Sequence, residues 1–317
     1  MATEKSSIQL AEAWPHLTLE GWQDTYATLQ LWTQMVGKTR LKLAPMLNHW
    51  WQVTLHVTAR GLRAPAMPYG ERDLEIEFDF IDHRLVARTS DGRTATLPLV
   101  AQTVADFYAG YVALLRSLEV EVKIWPVPSE VANPIPFPED RVHSAYDPEA
   151  AQRCWRALVQ VDRLLNRFRS RFLGKCSPAH FWWGGFDISC TRFSGRPAPT
   201  HPGGIPNLPD WVTREAYSHE CISAGWWPGG PGWPIQEPVF YAYAYPEPAG
   251  CPEAKIRPAE ASYHTGMREW VLPYDAVLRS PDRDGAVLDF LQSTYEAAAT
   301  LGGWNRALLE RPATSIA

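Results

Sequence analysis

KCSPAHFWWGGFDISCTRFSGR, residues 175–196, carries the clearest structural pattern in this chain of 317 residues. Side chains alternate along residues 180–193, which predicts one β-strand with a polar face. Asp187 shares that face with Trp183, Ser189 and Thr191. A carboxylate among aromatic side chains is costly to bury without a partner or water. The stretch therefore predicts a strand of the sheet and a candidate functional site on it.

An earlier segment repeats part of this pattern. Residues 42–51, KLAPMLNHWW, resemble residues 175–183, KCSPAHFWW, in a Lys-x-x-Pro start and a following His and Trp-Trp. Residues 93–98, RTATLP, likewise resemble residues 268–273, REWVLP. An Asp-Phe pair followed by Tyr occurs within both residues 106–111 and residues 289–295. Because these matches occur in the same order, the sequence favours an internal duplication.

The hydrophobic periodicity predicts the same order of elements in each half. Helices are predicted at residues 19–41, 100–118, 147–172 and 284–301. Strands are predicted at residues 50–59, 74–81, 85–89, 94–97, 119–125, 180–193, 215–223, 239–245 and 269–272. The expected fold class is α+β, with tandem pseudo-duplicated α-β-β-β-β-α units whose antiparallel sheets are covered by helices. Residues 14–126 would form the first repeat, residues 127–146 a proline-rich linker, and residues 147–306 the second repeat.

Composition narrows the classes of function. The net charge is −5 and the chain has no long basic run, which argues against a nucleic-acid partner. It has no window of roughly 20 apolar residues, and its first residues lack the layout of a signal peptide. The five cysteines include no CxxC pair, which favours reduced thiols in a cytoplasmic protein. The expected partner is a small molecule.

Aromatic residues and prolines are abundant, with 15 Trp and 28 Pro. They suit either an aromatic core or an aromatic-lined pocket. Trp226, Trp227 and Trp233 lie in a proline-rich segment that is predicted to close over an apolar ligand or to pack statically. No phosphate-binding loop, nucleophile elbow or zinc-protease motif is present, so the sequence leaves the cofactor unknown.

Four strings carry a resemblance to a known family. They are residues 175–196 quoted above, EIEFDFIDHRL at residues 75–85, REAYSHE at residues 214–220 and FLQSTYEAAA at residues 290–299. Here the chain resembles an uncharacterised bacterial family, one of the domains of unknown function, and the resemblance covers residues 14–306. It implies a bacterial cytoplasmic origin and supplies no activity or catalytic residues.

Asp187 and His219 are the candidate catalytic residues. Asp187 would be a general base, a metal ligand or a substrate anchor, or it would form a salt bridge with Arg192, Arg196 or Arg214. His219 would join Asp187 if their strands pair, giving an imidazole oriented by a carboxylate for acid–base chemistry. The alternative for His219 is a hydrogen-bonded structural histidine.

A ligand pocket would surround these residues. Its predicted lining consists of aromatic side chains, arginines that hold an anionic group, and one further carboxylate: Trp183, Tyr217, Trp226, Trp227, Arg192, Arg196 and Glu220. The sequence thus predicts a small-molecule pocket in the second half, with enzymatic acid–base chemistry as one use of it. The rival interpretation is a non-catalytic ligand-binding or protein-interaction module.

A metal site is the further alternative. His49 and His180 occupy similar positions in the two repeats, and a pseudo-twofold axis would bring them together near His56. With Asp187 or Glu220 they would provide ligands for a divalent metal ion.

Overall fold

The fold is described from a computed structural model, which covers residues 13–230 and 234–312. Its strands form two antiparallel sheets, one of five strands and one of six within these residues. Helices cover the sheets, so the predicted α+β class is confirmed. Trp233, one of the predicted lid residues, lies outside the described residues.

The first long helix, α1 (Gln23–Leu43), confirms the prediction from residues 19–41. Its apolar side chains are buried, and the ring of Trp32 stacks on Phe107 at 4.1 Å between centroids. Four-residue spacing also places Gln30, Gln34 and Lys38 on one face of α1. That polar face matters for the candidate site.

The first sheet has consecutive strands in the order β1–β2–β3–β4–β5. They are β1 (His56–Val57), β2 (Gly61–Tyr69), β3 (Arg72–Asp79), β4 (Arg84–Thr89) and β5 (Thr94–Pro98). Alternation in β3 buries Leu74, Ile76 and Phe78 completely, as the period of two predicts.

The predicted strand at residues 50–59 is largely wrong. His49 and Trp50 have positive φ angles of 56° and 62°, which turn the chain into a 3₁₀ segment, Asn48–Val53. Only His56–Val57 joins the sheet. Left-handed backbone at non-glycine residues is uncommon, and the alternating polarity of the sequence does not reveal it.

The predicted strand at residues 119–125 is also wrong. The chain leaves α2 (Val104–Ser117) through Glu119, whose φ is 55°. Side chains then form the hydrogen bonds with backbone groups that a neighbouring strand would form in a sheet. Arg72 donates to the Glu119 carbonyl at 2.7 Å, and the Glu121 N–H donates to the Tyr69 hydroxyl at 2.9 Å.

The second half begins with α3 (Pro148–Arg169), with Pro148 in its first turn. Asp147 caps this helix, because its carboxylate accepts from the N–H groups of Glu149 and Ala150. The predicted helix start is therefore confirmed. Shorter helices α4 (Asp210–Ala216), α5 (Tyr274–Arg279) and α7 (Arg306–Leu309) accompany the long α6 (Arg283–Leu301).

The second sheet has the order β6–β7–β8–β9–β11–β10. Its strands are β6 (His180–Trp182), β7 (Asp187–Pro197), β8 (His219–Trp227), β9 (Val239–Tyr245), β10 (Ser262–His264) and β11 (Glu269–Pro273). The single strand predicted at residues 180–193 is instead a hairpin. Phe186, at φ 60°, closes its turn by donating from N–H to the Trp182 carbonyl at 2.8 Å.

The two sheets meet at their first strands. Leu55, just before β1, exchanges both backbone hydrogen bonds with Phe181 of β6, each at 2.9 Å. One hydrophobic core continues through both halves. The boundaries predicted at residues 126 and 147 stay predictions.

The structure supports duplication only in the order of elements. A long helix, an antiparallel sheet and a second long helix occur in each half. The tryptophan pairs are not equivalent, because Trp50 and Trp51 lie in the 3₁₀ segment whereas Trp182 lies in β6. Among the described helices, none has the length and apolar character needed to cross a membrane.

Candidate functional site

The inner strands of the second sheet separate two environments. Along β7, Asp187, Ser189 and Thr191 face a cavity, as their alternation predicts. The intervening Cys190 and Arg192 are buried on the opposite face, which α3 covers. A strand between a cavity and a helical layer carries a different chemistry on each face.

The cavity has a volume of about 930 Å³ and lies between the two halves. This volume is within the range of about 300–1,000 Å³ that is typical of small-molecule sites. Its walls come from α1, the 3₁₀ segment, β7, β9, α4 and the proline-rich linker. Tryptophans contribute much of the wall: Trp50, Trp51, Trp125, Trp182, Trp183 and Trp211.

Hydrogen bonds fix several of these indole rings. Trp183 donates from Nε1 to the Val53 carbonyl at 2.8 Å, and Trp50 donates to the Val212 carbonyl at 2.9 Å. Trp125 and Trp211 are 73% and 58% exposed while lining the cavity, so they lie at its mouth. The result is a rigid aromatic interior with an exposed aromatic rim.

Two carboxyl groups lie at the inner end. Asp187 accepts a hydrogen bond from the Tyr241 hydroxyl. Oxygen atoms of Asp187 and Glu130 lie 2.9 Å and 3.9 Å from the point that a Cβ atom on Gly185 would occupy. A side chain at position 185 would crowd the Asp187 carboxyl, so glycine there allows this carboxyl to approach the turn closely. Glu130 has a φ of 60°, the kind of unfavourable backbone that structures retain at functional sites.

Burial shifts the protonation of both carboxyls. Desolvation raises the pKa of Asp187 to about 6, although the Tyr241 hydrogen bond opposes the shift. Desolvation, with repulsion from Asp187, raises the pKa of Glu130 to about 7. Glu269 behaves similarly, with a pKa of about 7 from burial and from Asp187. Asp187 thus opposes ionisation of both glutamates, and of these two Glu130 lines the cavity with it.

The polar face of α1 holds this end in place. Gln30 donates to the Gly184 carbonyl at 2.7 Å, and Gln34 donates to the Ser129 carbonyl at 2.9 Å. Lys38 donates to the Ser129 hydroxyl at 2.9 Å and lies over the Trp183 ring. Burial lowers the pKa of Lys38 to about 8, and Glu130 opposes this shift.

Tyrosines and a histidine complete the polar lining. The hydroxyls of Tyr217 and Tyr243 lie 2.8 Å apart. His49 faces the Ala216 carbonyl with Nδ1 at 3.0 Å and the Lys175 ammonium with Nε2 at 2.7 Å. Burial lowers the pKa of His49, so its ring is neutral near pH 7 and accepts from Lys175. These groups offer hydrogen bonds around the more acidic inner end.

The predicted pairing of Asp187 with His219 is wrong. The two strands do pair, but Ile188 lies opposite Trp226 whereas His219 lies opposite Pro197. At about 3.3 Å per residue, this places Asp187 and His219 more than roughly 20 Å apart. Asp187 also lacks the predicted arginine salt bridge, since its partner is Tyr241.

The predicted anion-binding arginines do not line the cavity either. Arg192 lies on the helix-covered face, 3.4 Å from the centroid of the Phe168 ring. Arg196 pairs with Glu220 at 2.6 Å. The sequence predicts an anion site formed by arginines, whereas the structure has carboxyl groups at the inner end of the cavity.

The predicted tryptophan lid belongs to β8 instead. Trp226 is fully buried and its ring packs beside Tyr274. Trp227 is buried and donates to the Gly185 carbonyl at 3.1 Å, and this bond holds the turn between β6 and β7. Trp183 and Tyr217, in contrast, lie in the cavity wall, and their role in ligand binding stays a prediction.

The predicted histidine metal site is not assembled. His56 and His180 are neighbours, with ring centroids 5.4 Å apart, but His49 stacks on Phe193 instead. Burial lowers the pKa of His56 to about 4 and that of His180 to about 3. Across residues 13–230 and 234–312, no group of three or more His, Cys, Asp and Glu side chains could hold a metal ion.

Sequence reasoning missed Glu130, Lys38 and Tyr241 as site residues. The alternating tyrosines of β9 and the polar face of α1 were available signals for Tyr241 and Lys38. Glu130 gave no such signal, because it lies in an irregular proline-rich segment. Hydrogen bonds between Gln34 of α1 and the backbone of Ser129 hold this segment beside the cavity.

The chain belongs to a family of unknown function (DUF5996), whose model matches residues 14–311. This confirms the resemblance to a domain of unknown function. No curated protein and no solved structure matches the chain.

Proposed function

We propose that this member of a family of unknown function binds a small organic cation, with an aromatic or apolar body, in the cavity between its halves. The observation that carries the proposal is the convergence of Asp187 and Glu130 at the closed end of an aromatic pocket. The carboxyls would hold the cationic group, and the tryptophans would hold the body of the ligand.

Electrostatics favours a cation over an anion. Asp187 raises the pKa of both Glu130 and Glu269, which means that an ionised Asp187 disfavours ionisation of either glutamate. A bound ammonium would relieve that repulsion, whereas a bound carboxylate would add to it. Lys38 offsets part of the negative charge beside Glu130.

The aromatic walls favour the same ligand class. Trp and Tyr rings attract cations through their electron-rich faces, and the attraction grows when the cation leaves water. The Lys38 ammonium already lies 5.6 Å from the centroid of Trp183. A net charge of −5 and an acidic cavity also favour an organic cation over nucleic acid. A cytoplasmic location remains part of the proposal.

A set of matched probes tests the proposal by calorimetry. Phenethylamine, phenethyl alcohol and 3-phenylpropionate share an aromatic body and differ in charge. We expect the amine to bind most tightly, with an affinity that rises at least about ten-fold between pH 5 and pH 8. The reason is that a cation prefers ionised carboxyls, and each pKa unit of stabilisation corresponds to about a ten-fold gain in affinity.

Variants connect the effect to the cavity. Asp187→Asn and Glu130→Gln should each weaken amine binding and flatten its pH dependence. Glu220→Gln is the control, because Glu220 pairs with Arg196 outside the cavity. Equal binding of alcohol and amine at every pH would instead favour a neutral ligand, and tightest binding of the acid would refute a cation site.

General acid–base catalysis on the bound ligand is the second candidate function. It is favoured by the pKa values of about 6 and 7, which give Asp187 and Glu130 access to both protonation states near neutral pH. Asp187 rather than His219 would be the base, since His219 lies outside the cavity wall.

Mass spectrometry of a metabolite extract separates binding from catalysis. The extract is incubated with the wild type or with Asp187→Asn, and the retained and the consumed compounds are compared. A compound that only the wild type consumes supports catalysis. Retention of a basic compound without consumption supports binding alone and contradicts the catalytic candidate.

A further inference from the structure

Two cysteines face each other on the helix-covered side of the second sheet. Cys176 precedes β6, and its backbone pairs with Arg192 of β7. Its Sγ atom lies 3.4 Å from Sγ of Cys190, which belongs to the same strand. A disulfide bond needs a separation of about 2.05 Å, so a small adjustment of the two side chains would allow a bond.

The surroundings of the pair are electropositive. Arg192 is buried against the rings of Phe168 and Tyr295, and its Nε–H has no hydrogen-bond partner among the described residues. Its guanidinium is close enough for its charge to act on Cys176, as is that of Arg169. A thiolate at Cys176 would provide negative charge beside the unpartnered Arg192 donor.

The two thiols differ in character. Cys176 is half-buried, and its pKa is lowered by the hydrogen bond from Cys190 and by the charges of the two arginines. Cys190 is fully buried, and burial raises its pKa well above the ordinary value. Cys176 therefore suits the attacking thiolate, and Cys190 suits the thiol that resolves it.

We propose that Cys176 and Cys190 form a peroxide-reactive dithiol that closes to an intramolecular disulfide. The Cys176 thiolate attacks one oxygen of hydrogen peroxide, the O–O bond breaks, and hydroxide leaves and is protonated to water. The resulting sulfenic acid is attacked by the Cys190 sulfur. The S–S bond forms, the S–O bond breaks, and the Cys190 proton converts the departing hydroxide to water. Two thiols lose two electrons, and one peroxide becomes two waters.

The cysteine pair is separate from the proposed cation site, although the residue before Cys176 contacts the cavity wall. Lys175, the neighbour of Cys176, contacts His49 in the cavity wall at 2.7 Å. The remaining thiols serve as internal controls. Cys154, Cys221 and Cys251 are buried, and burial raises the pKa of each.

Peroxide treatment of the folded wild type tests the proposal. The protein is then denatured in N-ethylmaleimide, digested and mapped by mass spectrometry under non-reducing conditions. We expect a crosslinked peptide that joins Cys176 to Cys190, formed at least about ten-fold faster than oxidation of Cys154. Reduction with dithiothreitol should restore both alkylation sites.

Two variants assign the roles. In Cys190→Ser, Cys176 should accumulate as a sulfenic acid that dimedone traps. In Cys176→Ser, Cys190 should stay unmodified, since it is buried and protonated. Alkylation of both cysteines after peroxide treatment of the wild type would overturn the proposal, as would oxidation of all five cysteines at equal rates. The wild-type map decides the question even if a variant fails to fold.

Discussion

Replacing Gly37 with alanine is expected to lower the free energy of unfolding by roughly 3 kcal/mol, at the upper end of the usual cost of overpacking a core. Gly37 lies inside α1, where Trp183 packs directly on the helix backbone. A Cβ atom there would overlap Cδ1, Nε1 and Cε2 of the Trp183 ring. The ring cannot easily move, because it donates to the Val53 carbonyl and closes one wall of the cavity.

Urea unfolding measures this effect, and Gly110→Ala provides its control. Gly110 also lies inside a helix, α2, but the nearest atom to its added Cβ would be the flexible Leu97 Cδ1 at 3.0 Å. Because alanine favours helix by about 1 kcal/mol over glycine, Gly110→Ala should be neutral or stabilising. If Gly37→Ala were as stable as Gly110→Ala, the close packing of Trp183 on α1 would be contradicted. Amine binding by Gly37→Ala should also weaken, since Trp183 must shift.

Replacing Asp187 with asparagine is expected to stabilise the protein at pH 8 by roughly 2–3 kcal/mol, while weakening cation binding. A pKa shift of one unit corresponds to about 1.4 kcal/mol, and burial raises the pKa of Asp187 from 3.8 to about 6. Asparagine is nearly isosteric and can still accept from Tyr241. It removes the buried charge, so a gain in stability accompanies a loss of function.

The sign of the pH dependence follows from linkage. Below pH 4 the carboxyl is protonated in both the folded and unfolded states, so wild type and variant should differ little. Between pH 4 and pH 6 the unfolded state ionises first, and the wild type loses stability that the variant keeps. Above the folded pKa the difference is constant. Thermal unfolding of both proteins across this range measures it.

Glu220→Gln is the matched control for this stability effect. Glu220 pairs with Arg196 near the surface, and losing such a pair costs about 0–1 kcal/mol. The control should therefore change stability slightly and in the opposite direction. If Asp187→Asn destabilised the protein at pH 8, Asp187 would be a structural carboxylate, and the proposed cation site would lose its central group.

Local patterns predicted much of the fold. The three-to-four spacing of large apolar residues identified α1, and Asp147 followed by Pro148 identified the start of α3. Alternation identified β3 and β9. These elements share one property: their pattern continues for several residues and is buried on one face, so it reports the fold directly.

Predictions failed where the backbone changes direction within an alternating sequence. Residues 50–59 and 119–125 alternate like strands, but the positive φ angles of Trp50 and Glu119 redirect the chain at their starts. At Glu119 and Glu121, hydrogen bonds between side chains and the backbone then take the place of strand pairing. An alternating sequence shows which side chains are polar, but it does not show whether a neighbouring strand is available for pairing.

The sequence likewise predicted only part of the candidate site. The pattern of residues 175–196 by itself placed Asp187, Ser189 and Thr191 on one polar face beside aromatic residues, because side chains on a strand alternate between faces. Register decided that His219 lies at the far end of the β7–β8 ladder. Only tertiary packing joined Asp187 to Glu130 and Lys38, because these residues come from a linker and a helix that sequence spacing does not relate to β7. The sequence thus determined one wall of the cavity. The three-dimensional fold decided the charge of the cavity, because burial sets the pKa values of Asp187, Glu130 and Lys38.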